Sequence, residues 1–455
     1  MGLFYAVILG VILTFELVRL VFRYKRTGFS CFFAFEVIYL VNYLAFPIVA
    51  LTKMNAIDTL PQTKAILMLS DFEVFFNAFI LYLNLIIIHL IYDHYLSKNK
   101  RAIEAGAVVY SDWESKADFA FKVANVFLVV GVFSTVLLIF GAGGIRRFLS
   151  LGQSARGLNV NISDQLGSSL TPLILLSQVL LVSPYIYYFL SKIDYKHARI
   201  LFYISCLFAG VYLLFNQGKG PLLFAIIPFL LDKDRKKSLL KISSLAVISI
   251  LVSPLLDALF RYITYGLWIY ILDVKDFTNI FWGYYSLAFA NFAYRHAISR
   301  YIGFRFGVDY INWIYLLIPN SLLKIFGFNK VGFVALVQLN TQALREISGV
   351  NFNGGLPMDY NLFNYVQLGF VTFFIAQIVL VRILAIVDSR MKYEDRYEIM
   401  RIIHYRLAIG VIMIFSSFTV ESLFRSRLDI IIILFSYLYF FTYRKNKRII
   451  IKVHM

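Results

Sequence analysis

Apolar stretches of about twenty residues recur along the whole chain and are separated by short polar segments. A helix needs about twenty apolar residues to cross the hydrocarbon core of a bilayer, at about 1.5 Å rise per residue. The alternating segments of about ten residues that mark an outer-membrane barrel do not occur. We therefore predict an all-α polytopic integral membrane protein with about 11 transmembrane helices, at 2–22, 30–52, 70–95, 118–141, 168–190, 199–217, 220–232, 238–262, 360–387, 402–421 and 428–443.

Lysine and arginine concentrate in alternate loops between these spans. The basic loops are 23–26, 97–101, 191–199, 232–237, 388–401 and 443–448. Short loops rich in lysine and arginine stay in the cytoplasm, so the N-terminus is predicted outside and the C-terminus inside. Three segments then face outwards, at 142–167, 263–359 and 420–427.

This arrangement divides the chain into three regions. Residues 1–262 hold the first eight predicted spans with the external loop 142–167, and 360–455 hold the last three with a short basic cytoplasmic tail. Between them, 263–359 is a long external segment that is too apolar for a free loop. Its stretches FWGYYSLAFANFAY and IYLLIPNSLLKIFGF predict helices lying along the outer interface.

Composition narrows the class of protein further. The chain is 60% hydrophobic and only 15% charged, which excludes an ordinary soluble protein. The formal charge of +18 is spread between the spans, so no nucleic-acid partner is predicted. The two cysteines, Cys31 and Cys206, lie in apolar stretches and indicate neither a disulfide framework nor a metal site. We expect no cofactor.

The arginines of the predicted external segments are candidates for ligand binding. Topology accounts for arginines in cytoplasmic loops, but it does not account for external ones. The run YRHAISRYIGFR contributes Arg295, Arg300 and Arg305, which are candidates to bind a phosphate through their planar forks or to anchor lipid headgroups. A helix places His296 and Arg300 on one face. The neighbouring cations disfavour the charged imidazole, so His296 is a candidate general base; a structural histidine is the alternative.

The run VESLFRSRLD lies at the last external turn. Arg425 and Arg427 are further candidates to bind phosphate, and Glu421 is a candidate base. Spacings of four residues from Glu421 to Arg425 and from Arg425 to Asp429 also allow a salt-bridged turn.

Two other turns carry candidate residues. Asp359 ends the run NFNGGLPMD and is expected to cap the helix that follows, with a sugar contact or a catalytic role as the alternative. Lys219 lies in the glycine-rich turn NQGKGPLL, which lacks the spacing of a P-loop but can meet an anion at a helix start.

Together these features make the chain resemble the Wzy-type oligosaccharide repeat-unit polymerases of bacterial surface-polysaccharide pathways. The likeness rests on the turn NQGKGPLL, the external segment rich in aromatics and arginine, its exit GGLPMDYNLFNYVQLGF and the late ESLFRSR turn. Their number, order and membrane position carry it, because each motif is degenerate.

The resemblance implies a GT-C-like glycosyltransferase of the bacterial inner membrane, with its active site facing the periplasm. Its substrates would be undecaprenyl-pyrophosphate-linked oligosaccharides, its partners membrane lipids and a regulator of chain length, and it would need no metal. The family pattern places an arginine in the glycine-rich turn, where this chain has Lys219.

Three alternatives stay open. An O-antigen ligase would use the same donor with lipid A core as acceptor. A lipid-linked oligosaccharide flippase or polysaccharide exporter would line a central cavity with cations and show paired half-helices. A membrane O-acyltransferase would need a histidine at mid-membrane depth, for which His89 is the candidate.

Overall fold

The computed structural model describes thirteen stretches of the chain. They are 1–52, 61–104, 109–110, 117–148, 170–213, 219–231, 286–312, 324–327, 336–351, 356–391, 401–416, 420–440 and 443–444, together with isolated positions between 241 and 268. Almost all of these residues are helical, in agreement with the predicted class. A single two-residue pair, β1 (Val109–Tyr110) with β2 (Tyr443–Arg444), is the exception among them.

The helices follow the predicted order along the chain. They are α1 (Gly2–Thr27), α2 (Cys31–Leu40), α3 (Phe46–Leu51), α4 (Pro61–Leu67), α5 (Asp71–Glu104), α6 (Ala117–Gly141), α7 (Thr171–Gln178), α8 (Ser183–Ser191), α9 (Ala198–Tyr212), α10 (Lys219–Leu230), α11 (Arg295–Ile302), α12 (Leu336–Ser348), α13 (Tyr360–Leu368), α14 (Phe370–Met391), α15 (Arg401–Ser416) and α16 (Val420–Phe440). A π-helical turn, Val41–Ala45, joins α2 to α3, and a 3₁₀ turn, Val179–Leu181, joins α7 to α8.

Six helical segments within the described residues are long and apolar enough to cross a membrane. They are Gly2–Thr27, Cys31–Leu51, Asp71–Arg101, Ala117–Gly141, Pro172–Ser191 and Phe370–Ser389. The first five match the first five predicted spans, which confirms a multi-pass helical membrane protein. Ala198–Tyr212 is apolar but shorter, and most of the predicted span 238–262 lies outside the described residues. The count of about 11 stays a prediction.

The predicted span at 360–387 is wrong at its start. Gly369 has a φ of 65°, which breaks the helix and separates α13 from α14. Eight of the nine residues of α13 are buried, and several of them are polar. The membrane-crossing segment therefore begins at Phe370, and α13 is not part of that segment.

Helix α1 shows how the spans meet lipid. Its side chains Val7, Val11, Phe15 and Phe22 are more than half exposed, as expected for a lipid-facing helix. The buried stripe of α1 is narrow and includes the acidic residue Glu16. A carboxyl group thus lies on the protein side of a span whose other faces are apolar.

The other spans pack closely around aromatic side chains. The rings of Phe32 and Tyr92 stack with centroids 3.7 Å apart, which joins α2 to α5. Asp388 of α14 accepts hydrogen bonds from the backbone N–H groups of Cys31 and Phe32, at 2.8 and 2.9 Å. These donors have no partner within α2 itself, so a carboxylate distant in sequence caps the helix.

A second, smaller core lies beside the start of α14. It packs apolar side chains of α11, α12 and α13 with one residue of α4, and its buried members are Ala65, Leu287, Ile298, Leu336, Ala343, Leu344, Leu356, Met358, Leu362, Phe363 and Val366. The backbone N–H groups of Arg305 and Phe306 donate to the carbonyls of Val366 and Gln367 at the end of α13. This unit holds α11 in place.

The predicted interfacial helix at 281–294 is wrong for its described part. Residues 286–293 are helical, but Phe289, Asn291 and Phe292 are fully buried. The ring of Phe289 lies 6.2 Å from that of Phe46, and the ring of Phe292 lies 6.1 Å from that of Phe373. This segment packs inside the protein because both of its apolar sides meet other helices. Most of the second predicted interfacial helix lies outside the described residues.

Candidate functional site

His296 lies where α11, α13 and the first turn of α14 converge. Its Nδ1 is 2.7 Å from the Tyr365 hydroxyl, and its ring meets those of Tyr365 and Phe370 edge to face. The imidazole itself is exposed, whereas Ile298 and Ser299 on the same helix are buried. The sequence turns His296 outwards because the apolar positions of α11 face the small core.

The surroundings of His296 favour its neutral form. Partial burial lowers the pKa of this imidazole, and the positive charges of Arg295 and Arg300 lower the pKa further. Arg300 is exposed one helical turn from His296, so the predicted shared face is confirmed. The structure thus supports the expected direction of the shift, with burial as its largest cause.

The Tyr365 hydroxyl can orient this imidazole. Burial raises the pKa of Tyr365, so its phenol stays protonated and can accept or donate. When Nδ1 carries the proton, it donates a hydrogen bond to the Tyr365 oxygen. Nε2 then keeps a free lone pair. In that tautomer the exposed Nε2 can accept a proton from a bound hydroxyl group.

Arg295 faces the protein interior. Its Nη1 donates to Asn77 Oδ1 at 2.6 Å and to the carbonyl of Phe292 at 2.8 Å, and its guanidinium lies over the Phe292 ring. The side chain is buried. The prediction that Arg295 contacts a phosphate is therefore wrong for this geometry. Arg295 instead links α11 to α5 and adds positive potential at His296.

Arg305 is partly exposed and is paired with a carboxylate of the protein. Its Nε and Nη2 donate to the two carboxylate oxygens of Asp309 at 3.0 and 3.1 Å, and Gln367 donates to the same carboxylate. This hydrogen bond from Arg305 is the largest cause that raises the pKa of the guanidinium. Because the fork is occupied, Arg305 is a weaker candidate for phosphate than the exposed Arg300.

Asp359 is confirmed as the cap of α13. Its carboxylate accepts the backbone N–H of Asn361 at 3.0 Å and the hydroxyl of Tyr43 at 2.5 Å. It is fully buried, and burial raises its pKa to about 6. Asn340 donates to Asn291 Oδ1 close by, at 3.1 Å. These contacts give Asp359 a structural role, and its predicted catalytic role has no direct support in them.

The last predicted turn is only partly within the described structure. The structure describes a helical backbone, but not the side chains, at three predicted site residues: Lys219, Glu421 and Arg425. Arg427 has non-helical angles, φ −139° and ψ 23°, which kink α16 at this point. The next backbone N–H, of Leu428, donates to Gln178 Oε1 at 2.9 Å. The kink therefore joins α16 to α7.

Asp429 forms an ion pair with Arg406 of α15, where the sequence suggested Arg425. Both side chains are buried, and the guanidinium also lies over the Tyr185 ring. A helical spacing of four residues pointed to Arg425 on the same helix, but the neighbouring helix α15 supplies the partner that the structure describes.

Comparison with protein-family models, curated proteins and solved structures finds no match for this chain. The resemblance to the Wzy-type polymerases thus stays a prediction. Function is therefore inferred from the geometry of the site.

Among the residues that the structure describes, two buried groups of side chains have the atom types that bind metals. Cys31, Asp388 and His404 form one, and Glu16, Glu36 and His89 form the other; in each, ligand atoms lie within 4.8 Å of one another. Asp388 already accepts three hydrogen bonds, two from the start of α2 and one from the Tyr92 hydroxyl at 2.9 Å. Capping of α2 by Asp388 explains that first group.

Several residues that the structure brings together at the site have no motif in the sequence that marks them. Tyr365 contacts His296 from 69 residues away along the chain, whereas Asp309 follows its partner Arg305 by only four residues. One signal was present: Glu16, Glu36 and Arg406 are charged residues inside apolar stretches, where an ionisable side chain is a functional candidate by default.

Proposed function

We propose that this protein is a membrane glycosyltransferase that polymerises undecaprenyl-pyrophosphate-linked oligosaccharide repeat units at the periplasmic face of the bacterial inner membrane. The observation that carries the proposal is the exposed imidazole of His296. It has a lowered pKa, a tyrosine on one nitrogen and a cation one turn away, directly beside the start of span α14. This is where the headgroup of a lipid-linked glycan would lie.

The residues match the needs of glycosyl transfer from a pyrophosphate. An acceptor sugar hydroxyl gives its proton to Nε2 of His296, and its oxygen forms a bond to the anomeric carbon of the donor. The bond between that carbon and the phosphate oxygen breaks, and its electron pair leaves with the lipid pyrophosphate. Arg300 stabilises the growing negative charge, and Arg425 and Arg427 of the last external turn are further candidates for this role.

The test replaces His296, Arg300 and Arg425 singly with glutamine in the native host and separates the surface polysaccharide on a gel. H296Q and R300Q should lose long chains while single repeat units remain attached. Matched controls are H197Q and R199Q, since His197 and Arg199 are exposed residues of a predicted cytoplasmic loop. Normal ladders in all three site variants contradict the proposal, and loss of all attached glycan indicates a ligase instead.

A second candidate function is a flippase or exporter of lipid-linked glycan, which is not an enzyme. The specific observation in its favour is the buried ion pair of Arg406 with Asp429 together with the ionisable side chains inside spans α1, α2 and α5. Such a protein would leave single lipid-linked units on the cytoplasmic leaflet when inactivated. The polymerase would leave them on the periplasmic leaflet, accessible to an added glycosidase in spheroplasts.

A further inference from the structure

Three membrane helices bring a group of ionisable side chains together in the protein interior. Nε2 of His89 on α5 lies 3.2 Å from Glu36 Oε1 on α2 and 3.7 Å from Glu16 Oε2 on α1, and each of these side chains is 1% exposed. None of the four carboxylate oxygens accepts a hydrogen bond from a group that the structure describes. Buried charges left in this state are costly, so the group needs a further partner.

The tautomer of His89 shows that the further partner is not a metal ion bound to this imidazole. Nη2 of Arg23 lies 3.0 Å from His89 Nδ1. A guanidinium can only donate, so Nδ1 accepts and carries no proton. The neutral imidazole then has its proton on Nε2, the atom that faces both carboxylates. A nitrogen that carries a proton offers no lone pair to a metal ion.

The two carboxylates differ in how their charge is compensated. Nε of Arg23 lies 3.0 Å from Glu36 Oε2, at the distance of a direct ion pair. Among the described residues, the cation nearest to Glu16 is Arg19, whose Nη1 is 3.9 Å away and whose side chain is 31% exposed. Glu16 is therefore the carboxylate with less compensation, and protonation removes its charge.

We propose that Glu16, Glu36, His89 and Arg23 form a proton-binding site within the membrane, with one proton held on the carboxyl group of Glu16. The added O–H is a hydrogen-bond donor in a group that otherwise has too many acceptors. The site is separate from the proposed glycosyl transfer, and it stands whether the protein is a transferase or an exporter.

A polar route links this site to one end of the helices. Nη1 of Arg23 lies 3.5 Å from Asp93 Oδ1, and the Asp93 side chain is 50% exposed. Glu16 precedes the end of α1 at Thr27 by eleven residues, or about 17 Å of helix. Arg23 and Asp93 lie near the basic loops predicted in the cytoplasm, so the proton exchanges with that side.

The remaining titratable groups around the site leave this assignment unchanged. Tyr82 and Tyr92 of α5 are the neighbouring phenols, and Tyr92 donates to Asp388 of α14. His404 of α15 contacts the far side of Asp388. Both tyrosines are neutral near neutral pH, so they add no charge that could compensate Glu16.

Infrared difference spectroscopy of the purified full-length protein in lipid nanodiscs tests the proposal. The C=O stretch of a protonated carboxyl group, which shifts in D₂O, should be stronger in wild type than in E16Q at neutral pH. The control E346Q removes an exposed glutamate of α12 and should retain the band. An identical band in wild type and E16Q at every pH overturns the proposal.

Thermal unfolding supplies a second readout that does not depend on spectra. Glutamine resembles a protonated glutamate, so E16Q should unfold at or above the wild-type temperature. E36Q leaves Arg23 without its direct partner and should unfold at a lower temperature. An unstable E16Q beside a stable E36Q overturns the assignment of the proton to Glu16, as does stoichiometric divalent metal in wild-type protein that E16Q lacks.

Discussion

His296 and His89 both have arginine neighbours, but one histidine is exposed and the other is buried. Each imidazole lies near arginines, but His296 is exposed beside the end of a span, while His89 is buried between three spans. Nδ1 of His296 contacts a phenol, which can donate or accept, whereas Nδ1 of His89 receives a hydrogen bond from Arg23. The first leaves Nε2 able to take a proton from a ligand, and the second fixes a proton on Nε2.

This difference separates two uses of charge in one membrane protein. At the exposed site the arginines act at a distance and bias the protonation of a base. In the interior, two arginines are instead paired directly with carboxylates, Arg23 with Glu36 and Arg406 with Asp429. Variants at the interior pairs should change folding, and variants at the exposed site should change turnover.

The largest expected effect is at the buried ion pair of α15 and α16. R406A leaves Asp429 charged and without its guanidinium in the interior, which should lower the free energy of unfolding by about 3–5 kcal/mol. The protein should fail to accumulate in the membrane, as measured by immunoblot and by thermal unfolding in detergent.

The double variant R406M/D429L provides the control, because removing both charges leaves no buried ion unpaired. It should restore accumulation close to wild type. A stable R406A variant would show that interior charges are not paired tightly, and the contrast with the exposed site would fail.

Next in size is the effect of H296Q on turnover. Loss of a general base should reduce the rate of polymer formation by about 10²–10⁴-fold, while the unfolding temperature changes little because the side chain is exposed. The rate is measured in membrane vesicles supplied with purified lipid-linked repeat units, with H197Q as the matched control. A rate within a factor of about two of wild type would assign His296 a structural role.

The sequence predicted the helical class and the position of the first five spans, because twenty apolar residues in a row have few other stable arrangements. It failed at 360–387, where the apolar run continues through Gly369 and hides the break between α13 and α14. Hydropathy also placed 281–294 at the interface, since it cannot distinguish lipid from the apolar side chains that bury Phe289.

The features of the candidate site that were predicted are those that depend on residues close together in the sequence. Local spacing placed His296 and Arg300 on one face of α11 and identified Asp359 as a cap, because both depend on neighbours within one turn. The inward turn of Arg295 depends on Asn77, which is 218 residues away. Pairing between spans, as in Arg406 with Asp429, has no periodic signal in a single sequence.

Asp359 is a buried carboxyl group that should change the pH dependence of stability. Burial raises its pKa from the ordinary 3.8 to about 6, so the folded state holds this proton more tightly than the unfolded state. Stability from this group is therefore present at acidic pH and is lost as the pH rises through about 6. The total loss is roughly 3 kcal/mol.

D359N removes that titration while asparagine still caps α13. The difference in unfolding temperature between wild type and D359N should change between the ordinary pKa and about 6 and then level off. A constant difference across this window would mean that Asp359 keeps an ordinary pKa in spite of its burial.

The smallest expected effect is a shift in the pH profile of R300Q. Polymer formation should rise with pH as His296 loses its proton, and the midpoint of this rise reports the pKa of the imidazole. Arg300 is one of the charges that lower that pKa, so R300Q should move the rise towards higher pH, whereas R300K keeps the charge and should leave it in place. High salt should reduce the difference between R300Q and wild type because Arg300 is exposed. An unmoved midpoint in R300Q, with a lower rate at every pH, would mean that Arg300 acts on the substrate alone.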